Sequence, residues 1–205
     1  MVDEVEGNIR PGFEDPIYEA QRVYRLLTDA KAQPGTVVEV DPVPAVRPFN
    51  SATMALCLTL LDIDTKVWLD AASRHSAIVR HLNHHCGCEA ADNPGLADYV
   101  IAVQPQDLPP LDTLASADPK RAQGDGELGR LLIVQVRRLG SGRIFALLRA
   151  SGNTAVTLAV EGLDETLVEG LSQPPSARSR PMDIVLTQGN QFLVLPRDTW
   201  LQPLG

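Results

Sequence analysis

Apolar side chains recur at Ile17, Ala20, Tyr24, Leu27 and Ala30, three and four residues apart, with Val23 and Leu26 widening the stripe. That spacing predicts an amphipathic helix. Asp15 stands at the N-cap position and Pro16 at the first helical position, where a missing N–H costs little. Pro34-Gly35 ends the helix. Residues 36–40 alternate β-branched side chains and predict a strand, and Pro42, Pro44 and Pro48 stiffen the connection after it. Residues 51–62 are apolar almost all round, which predicts a deeply buried helix. A short strand over 66–69, a weaker helix over 73–84 and a buried strand over 99–103 complete this half.

The second half reads differently. Residues 131–139 and 143–149 flank Gly140-Ser141-Gly142, the pattern of a hairpin with a three-residue loop. Another strand covers 155–160, and Asp164 caps a short helix to residue 172. Residues 173–181 predict a loop. Residues 183–187 and 191–195 flank Gly189-Asn190, a second hairpin. Helices alternate with strands early and hairpins dominate late. The expected fold is one α/β domain over 15–205 with a mixed central sheet flanked by helices, parallel in its centre and antiparallel towards an edge. Residues 1–14 are polar and read as a flexible arm, and residues 105–130, rich in Pro, Gly and Asp, predict no definite element.

Composition narrows the class. The chain has 205 residues, 44% of them apolar, enough for a core without disulfides or metal. Aromatics amount to four Phe, three Tyr and two Trp, so Leu, Val, Ile and Ala must build that core. The net charge of −8 excludes a general nucleic-acid binder, which carries a basic stripe. No apolar run approaches the roughly 20 residues of a membrane-spanning helix, and the acidic N-terminus has no secretory pattern. Three cysteines cannot all pair within one chain, which suits a reducing, cytoplasmic setting. The charge is uneven: residues 1–120 hold 9 basic and 18 acidic groups, and residues 121–205 hold 9 and 8. A local anion site therefore remains compatible with the global balance.

The densest chemistry lies in His81, His84, His85, Cys86 and Cys88. Imidazole and thiolate are zinc ligands, so a metal- or thiol-dependent site is one reading. The other is a structural turn in which Gly87 supplies a positive φ. No phosphate-binding glycine fingerprint, nucleophile elbow or H-E-x-x-H motif occurs. Lys31, Lys66 and Lys120 are the only lysines, and none is marked as a Schiff-base lysine.

Several motifs in order point further. GFEDPIYEAQRVYRLLTDAKAQPG (12–35) carries Asp15-Pro16, Ala20-Gln21, Tyr24-Arg25 and Pro34-Gly35. LTLLDIDTKVWL (58–69), His85-x-Gly87, Ala97-Asp98-Tyr99 and MDIVLTQGNQFLVLPRDT (182–199) come next along the chain. Together they resemble the PhnH family, a subunit family of the bacterial carbon–phosphorus lyase system. The resemblance implies an α/β fold similar to the large domain of pyridoxal-phosphate-dependent transferases, without that cofactor or its lysine. It implies a homodimer that joins a core complex with the G, I and J subunits of phosphonate catabolism. There a ribose triphosphate unit from a purine nucleotide is placed on methylphosphonate, with the nucleosidase chemistry assigned to the I subunit. A non-catalytic or co-catalytic subunit is thus expected, with no cofactor, no nucleic-acid partner and no membrane. A stand-alone nucleotide- or small-molecule-binding module and a metal or thiol enzyme are the alternatives.

The resemblance and helix geometry single out four side chains and assign no catalytic residue. Gln21 and Arg25 are four apart and share a helix face, His85 follows the third helix, and Arg197 follows the closing strand. Converging, they would make a polar pocket able to hold phosphate; separately, Gln21 and Arg25 would knit the fold or dimer together. The sequence departs from the family pattern at His84-His85-Cys86-Gly87, Ala150-Ser151-Gly152, residues 124–129 and residues 178–181, all expected loops where function usually resides.

Overall fold

The computed structural model describes residues 9–114, 129–150, 152, 156–174 and 182–204. Helix α1 (Pro16–Ala32) starts as the sequence predicts: Asp15 accepts from the Tyr18 N–H at 3.1 Å, its own N–H donates to Glu19 Oε1 at 2.7 Å, and Pro16 opens the first turn. Two of the N–H groups that a helix start leaves without intrahelical partners are thereby answered. Val23, Leu27 and Ala30 form its buried face. Gly35, at φ +81°, turns the chain into β1 (Val38–Glu39), shorter than expected because the prolines after it break pairing. Helix α2 (Ser51–Leu60) is capped by Asn50 and buried over Ala52–Cys57 and at Leu60. Strand β2 (Lys66–Leu69) leads to α3 (Ser76–Cys86), which begins three residues later than expected because Ser73 is held in a turn by Asp70. Gly87 closes α3 at φ +70°, the turn role expected of it.

Beyond it come β3 (Glu89–Ala90), β4 (Tyr99–Ala102), β5 (Leu131–Gln135), β6 (Arg138–Arg149) and β7 (Val156–Glu161). Helix α4 (Glu165–Ser172), β8 (Asp183–Gln188), β9 (Gln191–Leu195) and β10 (Thr199–Pro203) finish the chain. Seven strands form one sheet in the order β1-β9-β8-β5-β4-β2-β3. From β3 to β8 the pairs are parallel, and β8-β9-β1 are antiparallel, the mixed sheet that the sequence predicts. A second, antiparallel sheet has the order β10-β6-β7.

This architecture explains the hydrophobic patterns. On β5, Leu131 and Ile133 face the layer of α1, α2 and α3, while Leu132 and Val134 face the small sheet and α4. A strand buried on both faces reads as a continuous apolar run. Helices flank the sheet as expected, and on the second face Phe145, Leu147, Leu158, Val160 and Leu201 of the small sheet pack beside Leu167, Val168 and Leu171 of α4.

The hairpin expected around Gly140-Ser141-Gly142 is also corrected. Strand β5 pairs with β4 and β8, and β6 continues through this segment in one direction along β7, with Leu139 and Arg143 both opposite Val160. Gly140 and Gly142, at φ +81° and +98°, absorb the extra residues as a bulge, not a reversal. The closing hairpin stands as expected, with Gly189 at φ +59° between β8 and β9. Of the expected N-terminal arm, residues 1–8 lie outside the described residues; Gly12 is buried, and Arg10 donates to the Ala45 carbonyl at 3.1 Å.

Candidate functional site

Gln21 and Arg25 do share one face of α1. With Ala20, Tyr24, Thr28 and Thr59 they line an open groove of about 440 Å³ between α1 and α2. Arg197 lies elsewhere, just beyond β9. Its backbone N–H donates to Asp183 Oδ1 at 2.8 Å, and its Nε lies 3.4 Å from the same oxygen. Asp183 is fully buried, and its Oδ2 faces the Lys31 ammonium at 2.8 Å. The C-terminal turn of α1 and the end of β9 thus meet on one carboxylate. Gly129 fits beside this arginine because a side chain there would start 2.5 Å from Nη2.

His85 is far from that cluster. Helix α3 feeds the β3 edge of the sheet, and four strands separate β3 from β9. At strand spacings of about 4.8 Å this is roughly 24 Å. The four side chains singled out by sequence therefore occupy three separate places: the α1 groove, the Asp183 clamp and the end of α3.

The histidine and cysteine segment is compact. The rings of His81 and His85 lie 4.4 Å apart by centroid, and those of His84 and His85 4.8 Å apart. His85 Nε2 pairs with the Arg10 carbonyl at 2.9 Å, and Gly12 packs over the same ring. His81 is buried with neither ring nitrogen hydrogen-bonded. Burial, reinforced by the neighbouring His85, His84 and Arg10 charges, lowers its pKa to about 4 and keeps it neutral. Among the described residues no group of three or more His, Cys, Asp and Glu side chains is arranged to hold a metal ion.

The thiols are equally unsuited to nucleophilic work. Burial, with smaller contributions from Cys88 and Asp62, pushes Cys86 up to about 12, and burial also raises Cys57 and Cys88. A reactive cysteine needs the opposite shift. Cys86 instead points its S–H at the Cys57 carbonyl, 3.7 Å away. Lys66 pairs with Glu89 at 3.2 Å.

The topology marks a place that sequence reasoning passed over. In open α/β sheets ligands sit beyond the carboxyl ends of parallel strands, where strand order reverses. Here β2 is flanked by β3 on one side and β4 on the other. Asp70, fully buried at the carboxyl end of β2, accepts from the Val103 and Gln104 N–H groups at 2.8 Å each and from the Ser73 N–H at 2.9 Å, and so ties β2 to β4. Next to this tie a cavity of about 260 Å³ opens at the ends of β4 and β5, lined by Gln104, Gln106, Gln135 and Arg137 among others. The signal was available in part: Gln135 ends an otherwise apolar strand, and Asp183 opens one. The variant segments at 124–128 and 178–181 lie outside the described residues; Ala150 and Gly152 are exposed.

The fold and these polar clusters define a three-layer α/β domain with a mixed seven-stranded sheet and no helix, among the described residues, long and apolar enough to cross a membrane. A family model described as bacterial phosphonate metabolism protein (PhnH) matches residues 11–202, and the chain belongs to that family. A relative from Rhizobium meliloti (strain 1021) is 28% identical over 191 residues, 93% of this chain and 94% of its own length. That relative is described as alpha-D-ribose 1-methylphosphonate 5-triphosphate synthase subunit PhnH.

Proposed function

We propose that this chain is a subunit of the carbon–phosphorus lyase core complex. In it the chain supports formation of ribose 1-methylphosphonate 5-triphosphate from a purine nucleoside triphosphate and methylphosphonate. The observation that carries the reading is the end-to-end match to a family and to a synthase subunit over nearly the whole chain.

Four finer elements belong to the same reading. The partners are the G-, I- and J-type subunits. The chain forms a homodimer, for which exposed apolar side chains on α1 speak. It works in the cytoplasm, consistent with three unpaired thiols. Its sheet is akin to the large domain of pyridoxal-phosphate-dependent transferases. A stand-alone nucleotide-binding module is the second reading, favoured by the amide-lined cavity at the ends of β4 and β5.

Reconstitution separates them. Synthase activity from the purified remaining subunits should appear only when this chain is added. Full activity without it, or heat on titrating ATP into the isolated chain with no effect on the other subunits, would replace the first reading with the second.

A further inference from the structure

The cavity at the ends of β4 and β5 stands on a fixed floor. Asp70 holds the Val103 and Gln104 N–H groups, and the Gln104 carbonyl accepts from the Asp107 N–H at 3.0 Å, which closes a single 3-10 turn over Pro105–Asp107. On the β5 side both polar atoms of Gln135 are engaged. Its Oε1 accepts from the Asn50 N–H at 2.6 Å, and its Nε2 donates to the Pro48 carbonyl at 3.0 Å. Gln135 is therefore a wall of the cavity.

Gln104 and Gln106 have hydrogen-bonding capacity to spare. Gln106 Nε2 donates to Gln104 Oε1 at 3.2 Å. That leaves the Gln104 amide N–H as a donor and the Gln106 carbonyl as an acceptor, neither with a partner among the described residues. Whichever way the two amides are oriented, the joined pair presents one donor and one acceptor. A nucleobase edge offers the complementary pattern, as in the pairing of a glutamine with adenine N6 and N7. Arg137 adds charge to the same cavity. Its side chain is 72% exposed and is bound through Nη1 to Glu161 Oε1 at 3.0 Å. Arg138 Nε lies 4.0 Å from the other Glu161 oxygen, so two guanidiniums share one carboxylate. Such exposed pairs are weak, and the open edge of a guanidinium suits a phosphate. The volume, about 260 Å³, is near the lower end for small-molecule sites, about 300 Å³. It suits a nucleoside with its charged tail at the mouth.

We infer that this cavity binds a nucleoside phosphate, with the base edge on the Gln104–Gln106 pair and a phosphate on Arg137. The inference rests on the reading above, in which a purine nucleoside triphosphate is consumed, and assigns part of its recognition to this chain. The contacts bind and orient; no bond is made or broken by them.

The test is equilibrium dialysis of the full chain against ATP, adenosine and inorganic tripolyphosphate. ATP should bind most tightly, and each of the other two more weakly. Arg137→Gln should weaken ATP and tripolyphosphate about tenfold and leave adenosine unchanged. Gln104→Leu combined with Gln106→Leu should weaken ATP and adenosine and leave tripolyphosphate unchanged. Glu161→Gln should tighten tripolyphosphate, because the carboxylate no longer competes for Arg137; a purely structural ion pair would give no such gain. Gln104, Gln106 and Arg137 are exposed, so the circular dichroism spectrum of their variants should match the wild type. ATP held at full strength by the Arg137 and glutamine variants would overturn the assignment to this cavity. No binding of any of the three ligands at millimolar concentration would overturn the nucleotide site itself. Neither result touches membership of the complex, which co-purification reads separately.

Discussion

The carboxylate of Asp183 and the backbone N–H of Arg197 are joined at 2.8 Å, with the Arg197 side chain folded back to 3.4 Å from the same oxygen. Lys31, at the far end of α1, meets the other oxygen at 2.8 Å. One buried anion thus ties α1, β8 and the end of β9.

Asp183→Asn keeps the shape and removes the charge that two cations share. Breaking a buried pair costs about 3–5 kcal/mol. Arg197→Ala, at a side chain about one-third exposed, leaves the backbone hydrogen bond in place and should cost about 1 kcal/mol or less. Urea unfolding of both variants checks the order. Equal losses would mean that the guanidinium, and not the buried carboxylate, is the centre of the clamp.

His81 predicts an acid-side loss of stability. Its pKa in the fold is lowered to about 4 from an ordinary 6.5. Below pH 6.5 the unfolded chain takes up a proton that the folded chain refuses until about pH 4. The contribution is therefore complete above pH 6.5 and lost as pH falls through that window. Melting temperatures measured from pH 7.5 to 4 should drop more steeply in the wild type than in His81→Leu. Parallel curves would place the burden on other groups.

The thiols should be slow. With Cys86 raised to about 12 from 9, its thiolate fraction near pH 8 falls about 1,000-fold. Alkylation by iodoacetamide at pH 8 should leave the native protein almost unlabelled and reach all three cysteines in denaturant. Rapid single-site labelling of the native chain would revive the thiol-enzyme alternative.

The bulge in β6 distinguishes two glycines. A side chain at Gly142 would start 2.7 Å from Glu161 Cβ and 2.8 Å from the Val160 carbonyl, whereas nothing lies within 4 Å at Gly140. Both have positive φ. Gly140→Ala should cost about 1 kcal/mol from backbone strain alone, and Gly142→Ala clearly more. Equal costs would argue against the close pairing of β6 and β7 at this point.

Much of this fold was legible because local and global preferences agree. Asp15-Pro16 fixed the start of α1, the all-apolar run after Asn50 announced a buried helix, and Gly189-Asn190 announced the closing hairpin. The failures have physical causes. Gly140-Ser141-Gly142 satisfies the rule for a hairpin loop and for a bulge equally, and only the distant partner β7 decides between them. The two-residue strand β3 carries too few residues for a period to show. Strand β10 falls in a stretch, TWLQP, whose pattern acquires meaning only beside β6.

The site was less legible than the fold. Helical spacing correctly placed Gln21 and Arg25 on one face, but spacing says nothing of what lies across the sheet. Arg197 was visible at a strand end, whereas its anchor Asp183 and companion Lys31 are 14 and 166 residues away in sequence. The cavity beside Asp70 is made by strand order, which depends on crossovers that no local motif encodes.

Membership of the synthase complex is tested most directly by co-expressing this chain, affinity-tagged, with the G-, I- and J-type subunits and measuring what it retains through size-exclusion chromatography. The expected result is one assembly holding all four chains in fixed proportion. Elution of the tagged chain alone, with the other subunits assembled without it, would contradict that membership.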